Sequence, residues 1–283
     1  PPVRARRGRA VTAFSIVVVL HDSEAHLRRL LDSLDRHLPG QAHVIAVDTE
    51  STDAGVELAR ERGALIVEVE GNPGFGVANN AGIVHARHDV TALLNPDVEL
   101  LDDGLPRLVD RARQTTALLA PRLLNPDGTT QDSVHPRPGR ARELLPALVP
   151  RGPGRPWRSD RRKAVGWATA AALVARTEVL RGLGPFDPDA FLWYEDLDLC
   201  LRAEAVEHHP DVALLHAGGH STGDDLEARA RRRREVVGAR LGPRALAWDD
   251  LAQAITFARA APFRARPRAQ LRALRAARGR RGA

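Results

Sequence analysis

Residues 14–48 read FSIVVVLHDSEAHLRRLLDSLDRHLPGQAHVIAVD. The first seven residues are apolar and mostly β-branched, with no helical period, which predicts a strand buried on both faces. Leucines then recur at helical spacing until Pro39 and Gly40, so a helix follows. A second apolar run at residues 43–47 predicts the next strand. This strand, helix, strand order indicates a right-handed β-α-β unit with parallel strands.

The same alternation continues through about the first 120 residues. A capping sequence starting at Ser51 predicts a helix through Arg62, and residues 65–69 predict a third strand. A glycine-rich turn and a helix at 77–86 lead to a fourth strand at 90–94. We therefore predict an α/β fold with a Rossmann-like, mostly parallel central sheet and helices on both faces.

The regular order is lost in the second half of the chain. Residues 135–162 are rich in Pro, Gly and Arg, which predicts a mobile loop or lid. Regular structure is expected to resume with the apolar run at 165–174. Helices at 177–183 and 195–203 and a strand at 212–215 are predicted to follow.

Charge is distributed unevenly along the chain. Residues 229–283 hold 16 Arg against 3 acids, and the first nine residues add 4 Arg. The remaining 10–228 carry 22 basic and 33 acidic residues, a net charge of −11 within an overall +6. Such a basic tail suits anionic lipid, nucleic acid or an acidic partner. Its few aromatic residues argue against nucleic acid, so we favour a membrane surface, with a solvated helix face as the alternative.

Compartment and membrane topology are only weakly constrained. The longest apolar runs are shorter than the roughly 20 residues of a spanning helix, so none is predicted. The basic, apolar start imitates a signal peptide, but no small-residue cleavage site follows. Cys200 is the only cysteine, which excludes an internal disulfide. We expect a cytoplasmic protein, peripheral at the inner face of the cell membrane.

Polar residues follow each of the four predicted strands. They are Leu20-His21-Asp22, Asp48, Asn72 to Gly76, and Asn95-Pro96-Asp97. In an open parallel sheet ligands bind outside the carboxyl ends of the strands, so these residues are expected to line one crevice. Singly, Asp48 could cap the next helix, and Asn-Pro-Asp is an ordinary turn.

The glycine-rich turn before the third predicted helix is a candidate anion site. In Gly71-Asn72-Pro73-Gly74-Phe75-Gly76 the glycines allow a close backbone approach, and amides at a helix start can face an anion. The spacing is not G-x-G-x-x-G, so a dinucleotide is not indicated. Asn79, one turn inside the helix, is either a polar contact or part of a wet helix face.

Together these motifs resemble the inverting glycosyltransferases of family 2, which have the GT-A fold, and within them the rhamnosyltransferase-like branch of bacterial cell-surface synthesis. The resemblance covers residues 14–221. Besides the motifs above it includes Gly184-Pro185-Phe186-Asp187, Trp193-Tyr194-Glu195-Asp196-Leu197-Asp198, and His216 with Ser221.

The resemblance implies a role for several residues. Asp48 would read N3–H of a uracil or thymine ring. Asn95 and Asp97 resemble an Asp-x-Asp metal motif with Asn in the first place, so Asp97 would hold Mg²⁺ or Mn²⁺. His216 would be an additional metal or diphosphate ligand, with a hydrogen-bonded core histidine as the alternative. Asp196 would be the catalytic base; alternatively, the acids there only favour a helix N-terminus.

Acceptor and sugar contacts are expected around the second acidic motif. Trp167, Trp193 and Tyr194, with Glu195 beside them, could form a platform for a sugar face, and core packing is the alternative. The sequence departs from the family pattern in three places. Thr49 replaces Asn, Gly166 replaces an acidic residue, and Ala170 replaces Gly. These departures concern the identity of the donor sugar more than the reaction.

The resemblance completes the expected domain division and function. We expect a basic extension over 1–13, a GT-A domain over 14–223 and an Arg-rich helical tail over 224–283. The domain would comprise a nucleotide-binding half over 14–120 and an acceptor-binding half over 121–223.

The expected reaction transfers a sugar, rhamnose first, from a dTDP- or UDP-sugar to a glycan or lipid-linked glycan. The alternatives are a nucleotidyltransferase or a silent GT-A-like scaffold. Residues 20–24 lack the glycine-rich basic loop of a nucleotidyltransferase, and both key carboxylates are present.

Overall fold

The computed structural model describes residues 13–141, 144–148, 159–184, 186–188, 192–218, 225–260, 262 and 265–279. Several sequence predictions lie outside these residues. They are residues 1–12 of the basic extension, part of the loop at 135–162, Pro185 and Ser221.

Strands and helices alternate through the first half of the chain. In order they are β1 (Phe14–Leu20), α1 (Glu24–His37), β2 (Ala42–Asp48), α2 (Gly55–Glu61), β3 (Leu65–Glu68), α3 (Phe75–Val84), β4 (Val90–Leu94), β5 (Val98–Leu100), α4 (Gly104–Ala112) and β6 (Leu118–Leu124). The second half begins with short elements and ends with long helices. These are β7 (Val134–His135), α5 (Leu144–Leu148), β8 (Lys163–Val165), β9 (Trp167–Ala168), β10 (Ala172–Arg176), α6 (Thr177–Gly182), α7 (Glu195–Arg202), β11 (Val206–His216), α8 (Leu226–Ala260) and α9 (Ala265–Gly279).

The central sheet has the order β3-β2-β1-β4-β10-β6-β11-β5, with β8 paired to β11. Strands β1, β2, β3, β4, β6 and β11 run in one direction, while β10, β5 and β8 run against them. Strands β7 and β9 form a small second sheet. The predicted α/β fold with a mostly parallel central sheet is confirmed.

Alternate residues of β1 enter two different cores, which explains its continuous apolar run. Ile16 and Val18 join a cluster with the leucines of α1 and residues of α2 and α4. Val17 joins a second cluster, on the other face, with residues of α3, α6, α7 and α8. Helices therefore cover both faces of the sheet.

The run at 165–174 forms three short strands in two sheets instead of one continuous element. Gly166 lies at the crossing, where a Cβ would come within 1.8 Å of the Arg137 backbone nitrogen. The strand expected at 212–215 is the end of the longer β11. Within 135–162, α5 packs against α8.

The C-terminal helices pack on the α/β domain. Helix α8 is broken at Gly242 (φ 83°, ψ 175°), and Pro243 follows. Glycine suits such a left-handed helix end, and proline suits the first turn of the next helical segment. Val236, Val237 and Leu246 are buried in the second core, so α8 is part of the folded unit. No described helix has the length and hydropathy needed to span a bilayer.

Candidate active site

The register of the parallel strands brings the predicted donor residues to one sheet edge. Leu20 is opposite Asp48, and Asp48 is opposite Glu68 on β3. Oδ1 of Asp48 accepts a hydrogen bond from the Ser51 amide at 3.1 Å, as expected of a turn residue. Among the described residues, no group donates a hydrogen bond to its Oδ2. One oxygen of Asp48 therefore shapes the turn while the other can serve a ligand.

The loop after β1 is tied to the loop after β2. The Leu20 carbonyl accepts hydrogen bonds from both the amide and the hydroxyl of Thr49, at 3.1 and 2.8 Å. His21 donates from Nδ1 to the Thr49 carbonyl at 3.0 Å. Asp22, in a left-handed conformation (φ 47°), accepts the Thr52 amide at 2.7 Å. Thr49, the first departure from the family pattern, therefore fastens the two loops together.

The glycine-rich turn packs closely against the acceptor half. Asn72 Oδ1 accepts the Gly74 amide at 3.3 Å, and Gly74 (φ 96°) precedes the first residue of α3, Phe75. A Cβ on Gly76 would lie 2.8 Å from Cβ of Phe186, so only glycine allows this approach. The predicted helix start occurs here. The close backbone approach is to the Phe186 side chain, and an approach to a ligand stays a prediction.

The asparagine side chains on α3 form hydrogen bonds with the protein backbone. Asn79 is 1% exposed and donates to the Phe75 carbonyl at 2.9 Å, so its described contact is within the helix. Asn80 exchanges two hydrogen bonds with the Phe186 backbone, at 2.7 and 3.0 Å. Asn80 therefore fixes the segment before the acidic motif to the donor half.

Asp97 and His216 meet at the carboxyl end of β4 and β11. Asp97 Oδ1 lies 3.3 Å from His216 Nε2, and Asp97 Oδ2 accepts the Gly218 amide at 2.8 Å. Burial raises the pKa of Asp97, but hydrogen bonding and charge from His216 and the Gly218 amide outweigh it, so the pKa lies below its ordinary value. Asp97 is therefore an ionised carboxylate at neutral pH although only 7% of it is exposed.

Gln131 sets the tautomer of His216. Its Nε2 donates to the His216 carbonyl at 2.7 Å, which turns its Oε1 toward His216 Nδ1 at 2.8 Å. Because Oε1 can only accept, Nδ1 carries a proton. Nε2 then faces Asp97 either as a charged donor or as a lone pair that needs a cation beside it. Sequence reasoning missed Gln131, which no motif marks.

Asn95 begins the turn that leads to Asp97. Its side-chain Oδ1 is buried and has no hydrogen-bond partner among the described residues, and its backbone amide donates to the Ala171 carbonyl at 2.9 Å. Within the described ranges, no three His, Cys, Asp or Glu side chains gather into a metal-binding cluster. Any cation here would therefore take most of its ligands from elsewhere.

Asp196 is joined to this region by two adjacent residues. Its Oδ2 accepts a hydrogen bond from the Ala170 backbone amide at 3.3 Å. The carbonyl of the next residue, Ala171, accepts one from the Asn95 backbone amide at 2.9 Å. Oδ1 of Asp196 accepts the Leu197 amide at 2.7 Å. The acidic motif and the Asn95–Asp97 turn thus lie on either side of one short stretch of backbone.

Burial raises the pKa values of the two neighbouring acids, Glu195 and Asp196. It raises the pKa of Asp196 to about 6, against hydrogen bonds from backbone amides. It raises the pKa of Glu195 to about 8, with the negative charge of Asp196 adding to the effect. Glu195 is 9% exposed, and within the described part of the chain its Oε2 has no hydrogen-bond partner. Burial therefore raises the pKa of both acids, and the amides of Ala170 and Leu197, which favour the ionised form of Asp196, oppose this at Asp196.

The aromatic residues form a connected group. Trp167 is 8% exposed and stacks on His135 with ring centroids 4.0 Å apart. Tyr194 contacts Trp167 edge-on at 6.1 Å. Burial and Arg233 lower the pKa of His135 to about 3, so the stacked ring is neutral. Trp167 thus serves packing, and Trp193 and Tyr194 are partly exposed.

Gly166 and Ala170 have structural reasons for their departure from the family pattern. An acidic side chain at 166 would collide with the Arg137 backbone. Ala170 is 3% exposed and supplies the amide that binds Asp196.

Comparison with known proteins identifies the family. The sequence model of glycosyl transferase family 2 matches residues 15–168, more than half of the chain. The chain is 27% identical over 238 residues to an N-acetylglucosaminyl-diphospho-decaprenol L-rhamnosyltransferase of Mycobacterium tuberculosis, covering 74% of this chain and 78% of that protein. It is 25% identical over 197 residues to the low-salt glycan biosynthesis hexosyltransferase Agl10 of Haloferax volcanii, covering 67% and 61%.

Solved structures share the fold. S. aureus TarS 1-349 in complex with UDP-GlcNAc has a TM-score of 0.54 at 16% identity, covering 94% of this chain and 80% of that one. The mannosyltransferase PcManGT of Pyrobaculum calidifontis, in complex with GDP-Man and Mn²⁺, has a TM-score of 0.50 at 16% identity, covering 94% and 79%. The chain belongs to glycosyl transferase family 2.

Proposed function

We propose that this member of glycosyl transferase family 2 transfers a sugar, rhamnose first, from a dTDP- or UDP-sugar to a lipid-linked glycan acceptor with inversion. The observation that carries the proposal is the link from Asp196 through Ala170 and Ala171 to Asn95. It sets a partly buried carboxylate beside the turn expected to hold the donor diphosphate. The name of the mycobacterial relative supports rhamnose and a lipid-linked acceptor.

Asp196 is the proposed catalytic base. Its carboxylate takes the proton of the acceptor hydroxyl while that oxygen attacks the anomeric carbon and the bond to the nucleoside diphosphate breaks. Two backbone amides, from Ala170 and Leu197, keep its carboxylate in place and favour its ionised form. Burial and the charge of Asp196 raise the pKa of Glu195. Of the two acids, Asp196 is therefore the one proposed to accept the proton.

The donor would lie along the carboxyl edge of the sheet. Asp48 Oδ2 suits N3–H of a uracil or thymine ring, because a carboxylate accepts from that group and cytosine has no proton there. The backbone of Leu20, His21, Asn72 and the glycine-rich turn would flank the nucleotide. Trp193 and Tyr194 would contact the sugars beside Asp196.

Asp97 and His216 fit a divalent cation. Two ligand atoms bound at about 2.1 Å on adjacent octahedral positions are about 3 Å apart, close to the 3.3 Å between Asp97 Oδ1 and His216 Nε2. Gln131 holds the protonated Nδ1, so Nε2 can offer its lone pair. Asn95 Oδ1 is a buried acceptor on the turn that leads to Asp97. A bound Mg²⁺ or Mn²⁺ would offset charge on the leaving diphosphate.

We propose that the exposed arginines of α9 contact an anionic membrane at the cytoplasmic face. Arg268, Arg272 and Arg275 are exposed, whereas Ala273 and Leu274 on the same helix are buried. Each Lys or Arg near an anionic lipid surface contributes roughly 1 kcal/mol to the free energy of membrane binding. When the protein is sedimented with phosphatidylglycerol vesicles, the fraction bound to the vesicles should be much smaller for the Arg272→Glu/Arg275→Glu variant than for wild type. Equal sedimentation of variant and wild type would contradict this contact.

Nucleotide release tests the reaction directly. Wild type with Mn²⁺ should release dTDP or UDP from the matching sugar, faster with a polyprenyl-diphosphate-linked acceptor, and EDTA should abolish release. Asp196→Asn should lower turnover by about 10²–10⁴-fold, and wild-type turnover should fall about tenfold per pH unit below about pH 6. Asp103→Asn, whose side chain is 81% exposed, is the matched control. Normal turnover by a folded Asp196→Asn variant would refute the assignment.

A further inference from the structure

Helix α8 contacts the catalytic turn with several arginines. Arg229 lies over the Trp193 ring at 5.9 Å, and Arg233 lies over the Tyr194 ring at 5.4 Å. Arg240 binds Asp198 on α7 at 2.6 and 3.2 Å. These arginines belong to the segment whose composition suggested a basic tail.

We propose that Arg233 and Arg240 are positioning residues that hold the Trp193–Tyr194 turn and α7 so that Asp196 faces the donor. This inference rests on the proposed role of Asp196 as base. It assigns α8, which lies beyond the residues matched by the family sequence model, to the catalytic unit.

The turn before Asp196 has a strained backbone. Trp193 (φ 68°) and Tyr194 (φ 62°) are consecutive left-handed residues, a conformation that bulky side chains rarely adopt. Such a conformation persists only where neighbouring structure holds it. Tyr194 is the N-cap residue of α7, and its carbonyl accepts the Asp198 amide at 3.0 Å. The conformation of Tyr194 therefore sets the direction of the helical turn that carries Asp196.

Arg233 has the most tightly fixed guanidinium of these arginines. Its guanidinium is fixed by two hydrogen bonds to Asp249, at 2.9 and 2.7 Å, and Asp249 is 2% exposed. A bidentate pair holds the guanidinium plane in one orientation. The plane is thereby presented to the Tyr194 ring. Asp249 lies in the second segment of α8, after the break at Gly242, so both segments contribute to the support.

Arg240 holds α7 from a second direction. Asp198 is 3% exposed and also accepts a hydrogen bond from Arg202 at 2.9 Å. This buried carboxylate, two residues after Asp196, thus joins α7 to α8 through Arg240. The N-cap and the first turn of α7 are both fixed by α8, and Asp196 lies between the two contacts.

Kinetics of arginine-to-methionine variants test the inference, because methionine keeps the apolar stem without the guanidinium. Arg233→Met and Arg240→Met should each lower kcat about ten- to a hundredfold. The donor KM should stay within twofold, since Asp48, the glycine-rich turn and Asp97, which are proposed to hold the nucleotide and diphosphate, contact neither arginine. Arg233→Lys should recover part of the kcat, and Arg231→Met, at an exposed position of the same helix, should match wild type.

A double variant separates positioning from general damage. In the Asp196→Asn background, adding Arg233→Met should change kcat by less than twofold, because a positioning residue acts only through the base. A further tenfold loss, or wild-type kcat in both arginine variants, would overturn the inference while leaving the proposed function intact. If Arg233→Met does not fold, Arg240→Met, whose side chain is 41% exposed, carries the same prediction. Absence of turnover by wild type would instead refute the proposed function.

Discussion

Glu195 should make the folded protein less stable as the pH rises. The residue is buried, its Oε2 has no hydrogen-bond partner among the residues that the structure describes, and its pKa is raised to about 8 from an ordinary 4.5. Between these two pH values the unfolded chain has lost the proton while the folded chain still holds it. The folded state thus binds more protons than the unfolded state, and the free energy of unfolding falls with rising pH.

The size of this effect follows from the pH interval between the pKa values of Glu195 in the unfolded and folded states. Each pH unit within it costs the folded state about 1.4 kcal/mol. Glu195→Gln keeps the shape but cannot ionise, so the variant lacks this contribution. The stability of Glu195→Gln relative to wild type should therefore increase by about 3 kcal/mol between pH 5 and pH 7. Contributions of titrating groups that do not interact with Glu195 cancel in this difference, whereas Asp196, whose charge adds to the shift of Glu195, contributes to it.

Urea unfolding at both pH values, followed by circular dichroism, measures the difference. Glu57→Gln is the matched control, because its side chain is 65% exposed and stays in contact with water in both states. It should show the same difference from wild type at pH 5 and pH 7. The reasoning is refuted if the Glu195→Gln difference changes by less than about 0.5 kcal/mol between those pH values, because that would place an ionised carboxylate at this site.

Two further predictions concern packing and the proposed cation site. Gly82→Ala would bring a Cβ within 2.4 Å of Val17 Cγ1 and should destabilise the fold by about 1–3 kcal/mol in urea unfolding, whereas Gly182→Ala, with no atom within 4 Å, should stay within about 0.5 kcal/mol of wild type. Gln131→Leu removes the partner of His216 Nδ1 and should weaken Mn²⁺ binding about 10–100-fold in calorimetric titration. Unchanged affinity would mean that Gln131 does not orient the histidine toward a cation.

The first half of the fold was predictable because each local signal agrees with the tertiary structure. Strand β1 is apolar throughout since helices cover both faces of the sheet, and Leu27 and Leu30 fall on the buried side of α1 as their spacing predicts. Strand order places Asp48 and Asp97 at one edge of the sheet, as the sequence predicts, and their roles as donor ligands stay a prediction.

The second half carries weaker signals. Strands of two to five residues, as at 163–176, are too short to show a period, and Gly166 marks a crossing only once Arg137 is placed beside it. Gln131 has no motif, because its role depends on contact with a residue 85 positions away. Charge counting also could not distinguish solvated arginines from Arg233, whose partner Asp249 lies beyond the break in α8.

The antiparallel strand β10 has a consequence for how substrates enter. It pairs with β4 over five residues and with β6 at Val174 and Leu119, so backbone pairing joins the two halves of the domain through the middle of the sheet. A clamshell motion that parts these halves would have to break the five-residue pairing in the core. With the proposed donor, entry and release would therefore depend on the loops at the edge of the sheet.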